Sequence, residues 1–160
     1  MIDDRFRIYI DRLKDQQTEI LDLLLPPDFL EVSEPDLRFE RPIKVQGKAY
    51  LALQELVVDL NIEATAEMPC AICNDPTELR IELDHLLLVE PLSEIQAGVF
   101  DLRSALREAI LLEVPVATEC RGGCPKRTEI EKFLKKDSVD EPESGDFRPF
   151  EGLSTEDYER

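Results

Sequence analysis

The sequence predicts an α+β domain rich in antiparallel strands, with a cysteine-bearing hairpin and one or two helices after the strands. Three observations predict it. Between Phe6 and Val89, apolar residues recur at alternate positions in several separate runs, the period of strands with one buried face. After Gly98 the period shifts to that of a helix. With strands first and helices afterwards, the order favours α+β over a parallel sheet. The chain has 160 residues, 42% hydrophobic and 34% charged, enough to bury a core without staples.

The elements follow in order. Phe6, Ile8 and Ile10 alternate as on a strand. Thr18 to Leu25 suits a strand or a short helix, and Pro26-Pro27 ends it either way. Leu30 to Val32 is too short to assign. Ile43 to Gly47 reads as a strand reaching a turn, and Lys48 to Leu53 as the next strand. From Leu56 to Ala66, Val58, Leu60, Ile62 and Ala64 alternate with Asp59, Asn61, Glu63 and Thr65. From Thr77 to Val89, Leu79, Ile81 and Leu83 alternate with Arg80, Glu82 and Asp84. These two strands flank Pro69-Cys70-Ala71-Ile72-Cys73-Asn74-Asp75-Pro76, which places the cysteines at the tip of a hairpin. Asp101 is a candidate N-cap for a helix carrying Leu102, Ala105, Leu106, Ala109 and Ile110 on one stripe, and Pro115 ends it. Thr128 to Lys136 reads as a second short helix with Ile130, Phe133 and Leu134 together.

Charge is segregated. The whole chain carries 36 acidic and 19 basic residues, net −17. Residues 1–120 hold 25 acidic against 11 basic side chains, net −14. Residues 121–136 are net +4, through Arg121, Lys126, Arg127, Lys132, Lys135 and Lys136. Residues 137–160 hold nine acidic side chains against Arg148 and Arg160, net −7. Bulk basicity therefore cannot serve nucleic-acid binding, and an anionic membrane surface would repel the body. The domain is expected at 1–136, followed by a flexible acidic tail at 137–160 with too few apolar residues to offset its ordering. That tail carries Phe147-Arg148-Pro149-Phe150-Glu151-Gly152-Leu153, which suits either an edge-covering return or a short partner-binding motif. No apolar run is as long as a membrane span, and Met1-Ile2-Asp3-Asp4 lacks the features of a signal peptide, so a cytoplasmic location is expected.

The four cysteines are the most informative residues. Cys70 and Cys73 form one close pair, Cys120 and Cys124 a second. Two such pairs far apart in sequence have the spacing of a tetrahedral thiolate site. Three readings stand: structural zinc, four reduced cysteines with packing roles, and a redox dithiol. The last fits less well, because Asn74-Asp75-Pro76 follows the first pair where a redox Cys-x-x-Cys opens a helix. His85 shares the parity of Ile81, Leu83 and Leu87 and is expected to be a partly buried structural histidine. There is no phosphate-binding glycine loop and no nucleophile elbow, and no residue has a catalytic signature.

Four motifs in order resemble the YceD family, the large-subunit ribosomal RNA accumulation proteins of bacteria and plastids. They are Met68-Pro69-Cys70-Ala71-Ile72-Cys73-Asn74-Asp75-Pro76, the stretch from Phe100-Asp101-Leu102 through Arg107 to Pro115, the pair Cys120 and Cys124, and Arg148-Pro149-Phe150-Glu151-Gly152-Leu153. The resemblance covers about residues 45–153. Where many members carry a basic residue between the first two cysteines, this chain has Ala71 and Ile72.

The resemblance implies a non-enzymatic role in accumulating large-subunit ribosomal RNA and in ribosome assembly. Its expected partner is a basic large-subunit ribosomal protein or assembly intermediate. A local ribosomal RNA or partner contact would fall on Arg121, Lys126, Arg127, Lys132, Lys135 and Lys136, or on Phe147, Arg148, Phe150 and Leu153. Zinc is expected on Cys70, Cys73, Cys120 and Cys124. The alternatives are a zinc-stabilised interaction module with no ribosomal link and, less favoured, a thiol redox protein. The sequence leaves the oligomeric state open.

Overall fold

The computed structural model describes residues 4–133. The acidic tail and its Phe147–Leu153 motif, together with Leu134, Lys135 and Lys136, lie outside the described residues. Contacts divide the chain into two units, Met1–Arg127 and Thr128–Arg160.

The first unit is built on a four-stranded antiparallel sheet in the order β2-β3-β4-β5. Its strands are β2 (Thr18–Leu25), β3 (Ile43–Ala52), β4 (Glu55–Pro69) and β5 (Pro76–Pro91). A second antiparallel pair joins β1 (Arg7–Tyr9) to β6 (Val99–Asp101). The helix α1 (Arg103–Leu112) follows directly. This is the α+β, strand-rich architecture expected from the alternation pattern, with the cysteines of the first pair at the β4–β5 tip.

The core forms where the alternation predicts. Val58, Leu60, Ile62, Ala64 and Ala66 of β4 are buried on one face of the sheet, with Ile43, Val45 and Ala49 of β3 beside them. Leu102, Leu106 and Ile110 from the start and inner face of α1 are fully buried in the same cluster. The α1 stripe is the predicted one, and Asp101 Oδ1 accepts the Arg103 N–H at 2.9 Å at its start. Arg107 Nε donates to the Leu30 carbonyl at 2.7 Å, tying the helix to the loop after β2. Phe6, Ile8 and Ile10 are all buried as expected, although regular pairing is confined to Arg7–Tyr9 and short 3-10 turns flank it.

Three expectations are corrected. Gly47 is not at a turn: β3 runs unbroken from Ile43 to Ala52. The glycine is there because β4 comes close, and a Cβ would meet the Asp59 carbonyl oxygen and lie 2.9 Å from Leu60 Cα. The second correction concerns His85. The β4–β5 ladder shifts register between Leu60 and Ile62, and His85 takes φ 57°. This bulge flips the parity of β5, so His85 is exposed, Leu86 and Leu88 pack against the core, and Leu87 turns outward. The third is the second helix. Among the described residues, α2 spans only Arg127–Glu131, and Ile130 and Phe133 are exposed. Five residues that bury no apolar side chain lack the packing that sustains a longer helix.

Candidate metal centre

The β4–β5 hairpin closes with Pro69 opposite Pro76. Within the tip, Cys70 N–H donates to the Asp75 carbonyl at 2.8 Å, and Asn74 N–H to the Cys70 carbonyl at 2.9 Å. Asn74 adopts φ 62°, a left-handed conformation that asparagine tolerates. The tight turn points backbone N–H groups inward, and Ile72 N–H reaches Cys70 Sγ at 3.5 Å.

The second pair arrives as a parallel addition to this tip. Thr118 bridges Cys70, and Ala71 N–H donates to the Thr118 carbonyl at 2.8 Å. Cys120–Gly122 then form a 3-10 turn, with Gly123 N–H on the Cys120 carbonyl at 3.1 Å. Of the two glycines, only Gly122 uses the left-handed region, at φ 73°, and Arg121 enters it at φ 58°. Glu119 braces the turn from outside. Its Oε2 accepts the Cys124 N–H at 3.0 Å and Arg127 Nε at 3.2 Å, and its Oε1 pairs with Arg127 Nη2.

The result is one cluster. The sulfurs of Cys70, Cys73, Cys120 and Cys124 all lie within 4.8 Å of one another. Cys73 Sγ and Cys120 Sγ are 3.7 Å apart. Metal–thiolate bonds of about 2.3 Å in a tetrahedron require sulfur–sulfur edges of about 3.8 Å. A disulfide requires a bond of about 2.05 Å, and all four cysteines are free thiols. The four cysteines fit a metal ion. Cys70 and Cys124 are buried, while Cys73 and Cys120 are half-buried and face an open pocket of about 480 Å³. Asp75 and Glu78 line that pocket together with Arg121 and Lys126.

The electrostatics of the cluster are uneven. The Cys73 backbone N–H does most to lower the Cys70 thiol; burial opposes it, and the N–H groups of Cys120 and Ile72 help bring it to about 6. For Cys73, an N–H from the Asp75 backbone works downward. Burial, the Asp75 carboxylate and the Cys70 and Cys120 sulfurs outweigh it and push the thiol up to about 12. Burial first, and then the Cys124 sulfur, raise Cys120. Cys70 therefore ionises readily, whereas Cys73 and Cys120 hold their protons more tightly than an ordinary thiol.

Arg121 and Lys126 stand at the pocket, Arg127 is held by Glu119, and Lys132 is exposed beyond α2. Lys135, Lys136, Phe147, Arg148, Phe150 and Leu153 lie outside the described residues. The chain leaves Cys73 into β5, so no helix N-terminus follows the first pair. The sequence reading missed Thr118 and Glu119. Only the position of Glu119, immediately before Cys120 and eight residues before Arg127, hinted at its bracing role. Among the described residues, no helix is long and apolar enough to cross a membrane. No family model, no curated protein and no solved structure matches the chain.

Proposed function

We propose that this protein is a non-enzymatic factor required for large-subunit ribosomal RNA accumulation, acting by holding a basic large-subunit ribosomal protein or assembly intermediate. The observation that supports the reading is the meeting of four sulfurs within 4.8 Å, brought together from the two cysteine pairs on which the resemblance rests.

Within this reading, the metal is zinc and its role is structural. An all-thiolate set is soft, and the tetrahedral edge of about 3.8 Å suits zinc. Such a centre pins residues 118–124 to the hairpin tip. The acidic body supplies the attraction: at net −17 the chain steers basic partners toward itself and repels RNA at long range. Any RNA contact is local, at a basic pair such as Arg121 and Lys126.

Depletion of the protein, with both ribosomal RNAs followed through a density gradient, tests the reading. Selective loss of the large-subunit RNA is the expected result. An unchanged ratio under verified depletion overturns the ribosomal role and leaves a metal-stabilised interaction module. Elemental analysis of the purified chain tests the metal, with one zinc per chain expected.

A further inference from the structure

The outer face of the four-stranded sheet is apolar at one end and acidic at the other. Tyr50, Val57 and Val89 stand in one cross-strand row, with Leu87 diagonal to Val57 and opposite Asp59. Leu87 is 58% exposed and Val89 46%. The bulge at His85 creates this patch, since without its change of parity Leu87 and Val89 would face the core. The run Leu86-Leu87-Leu88-Val89 thus presents apolar side chains to both faces, the pattern of a strand covered on both sides. Val57 at the centre of the row is itself covered, at 8% exposure, so the open part of the patch is Leu87 and Val89 with half-buried Tyr50 beyond it.

The other end of the face carries carboxylates in an unfavourable arrangement. Glu63 stands directly opposite Glu82, and Glu67 directly opposite Glu78. Like charges in cross-strand register cost stability. Lys44, Arg80 and Arg41 lie against Glu63, Glu82 and Glu78 and offset part of that cost. Asp22 and Asp59 stand on the same face; Lys48 is directly opposite Asp59 and lies over the Tyr50 ring, and Gln46 donates to Asp22. Of these carboxylates, Glu67 and Asp22 have no basic side chain set against them among the described residues.

We propose that this face docks an extended basic segment of a partner protein, its apolar side chains covering Leu87, Val89 and the open part of Tyr50 and its Lys or Arg side chains meeting the carboxylates beside them. Charge selects this occupant. A second copy would set the same acidic face against itself. Residues 137–160, at net −7, would meet the same repulsion, as would a nucleic acid. The inference rests on the reading of the protein as a holder of a basic partner and gives that partner a surface; it does not require the partner to be ribosomal.

The test is an NMR titration of the isotope-labelled full chain with a synthetic peptide alternating Lys and Val. Parallel peptides carry Glu in place of Lys, or Ser in place of Val. The expected result is a set of shifts centred on Tyr50, Leu87 and Val89, with the Lys/Val peptide binding about tenfold tighter than either control. Leu87→Ser combined with Val89→Ser lowers that affinity about tenfold while melting as the wild type does. Should the double variant unfold, Glu82→Lys provides the same reading through charge. Shifts centred elsewhere, equal binding of the Lys/Ser peptide, unaltered affinity of the variants, or broadening at Leu87 and Val89 with protein concentration alone each overturn the proposal. Depleted cells separate the two ideas. If depletion leaves the RNA ratio unchanged, the ribosomal reading fails and the peptide result still decides the face. If the Leu87→Ser, Val89→Ser chain restores the ratio fully, the face fails and the ribosomal reading stands.

Discussion

The backbone N–H of Cys120 donates to the sulfur of Cys70 at 3.3 Å, across 50 residues of sequence. The later pair is thus placed against the earlier one by main-chain contacts as well as by any ion they share. The apolar core lies apart from this junction, since neither Cys70 nor Cys124 belongs to the cluster that joins the sheet to α1. Removing the metal is therefore expected to loosen residues 116–124 without dissolving the sheet. A ligand held far above its dissociation constant stabilises by about 4 kcal/mol, so chelation should lower the melting temperature on the order of 10 °C. Cys70→Ser should melt at the chelated value and lose its response to chelator. Hydrogen exchange checks the location: fast exchange confined to 116–124 is expected, and fast exchange throughout β4 would show that the core itself depends on the metal.

Metal uptake should release protons, and the sign follows from the thiols. At pH 7 Cys70, with its pKa near 6, is largely thiolate already. Cys73, at about 12, and Cys120, above its ordinary value, still carry protons. A cation must displace at least these two, so affinity should climb at least about a hundredfold per pH unit between pH 7 and 8. Below pH 6 Cys70 is protonated as well, and the slope steepens. An indicator dye in weak buffer at pH 7 measures the release directly. No released proton on zinc addition would mean that the four sulfurs do not bind it together.

Much of this was legible in the sequence, for identifiable reasons. The hairpin and its cysteine tip could be read because Pro69 and Pro76 frame a turn between two cleanly alternating runs. The inner face of α1 could be read because Leu102, Leu106 and Ile110 fall at helical spacing. Gly47 misled because a glycine marks turns and close strand approaches alike, and only the neighbouring chain distinguishes them. His85 misled because a bulge changes parity without changing composition. Strand β6 was invisible, since three residues carry no periodicity, and Glu119 was one carboxylate among 36 acidic residues until the fold brought Cys124 and Arg127 to it.

Gly47→Ala tests the close approach of β3 and β4. The added methyl would meet the Asp59 carbonyl oxygen, which is backbone and cannot rotate aside. The two strands must part around a pairing that also carries Val45, Ala49 and Ile62 in the core. Overpacking of this kind costs about 3 kcal/mol. Urea denaturation should show the midpoint falling with the slope unchanged. A wild-type midpoint would place Gly47 at a relaxed site such as a turn.

The bulge makes an opposite-signed prediction at His85. In a regular strand, valine is favoured over glycine by about 1 kcal/mol. At φ 57° the order reverses, because a β-branched side chain clashes in the left-handed region and glycine does not. His85→Val should therefore be less stable than His85→Gly by about 2 kcal/mol. Asn61→Ala probes the same feature from across the ladder, since Asn61 Oδ1 accepts the His85 N–H at 2.9 Å. With water free to replace that acceptor at an exposed site, its loss should cost about 1 kcal/mol. Denaturant melts of the three variants decide the matter. If valine proves the more stable residue at position 85, the strand is regular there, Leu87 returns to the inner face, and the apolar row on the outer face of the sheet is lost with it.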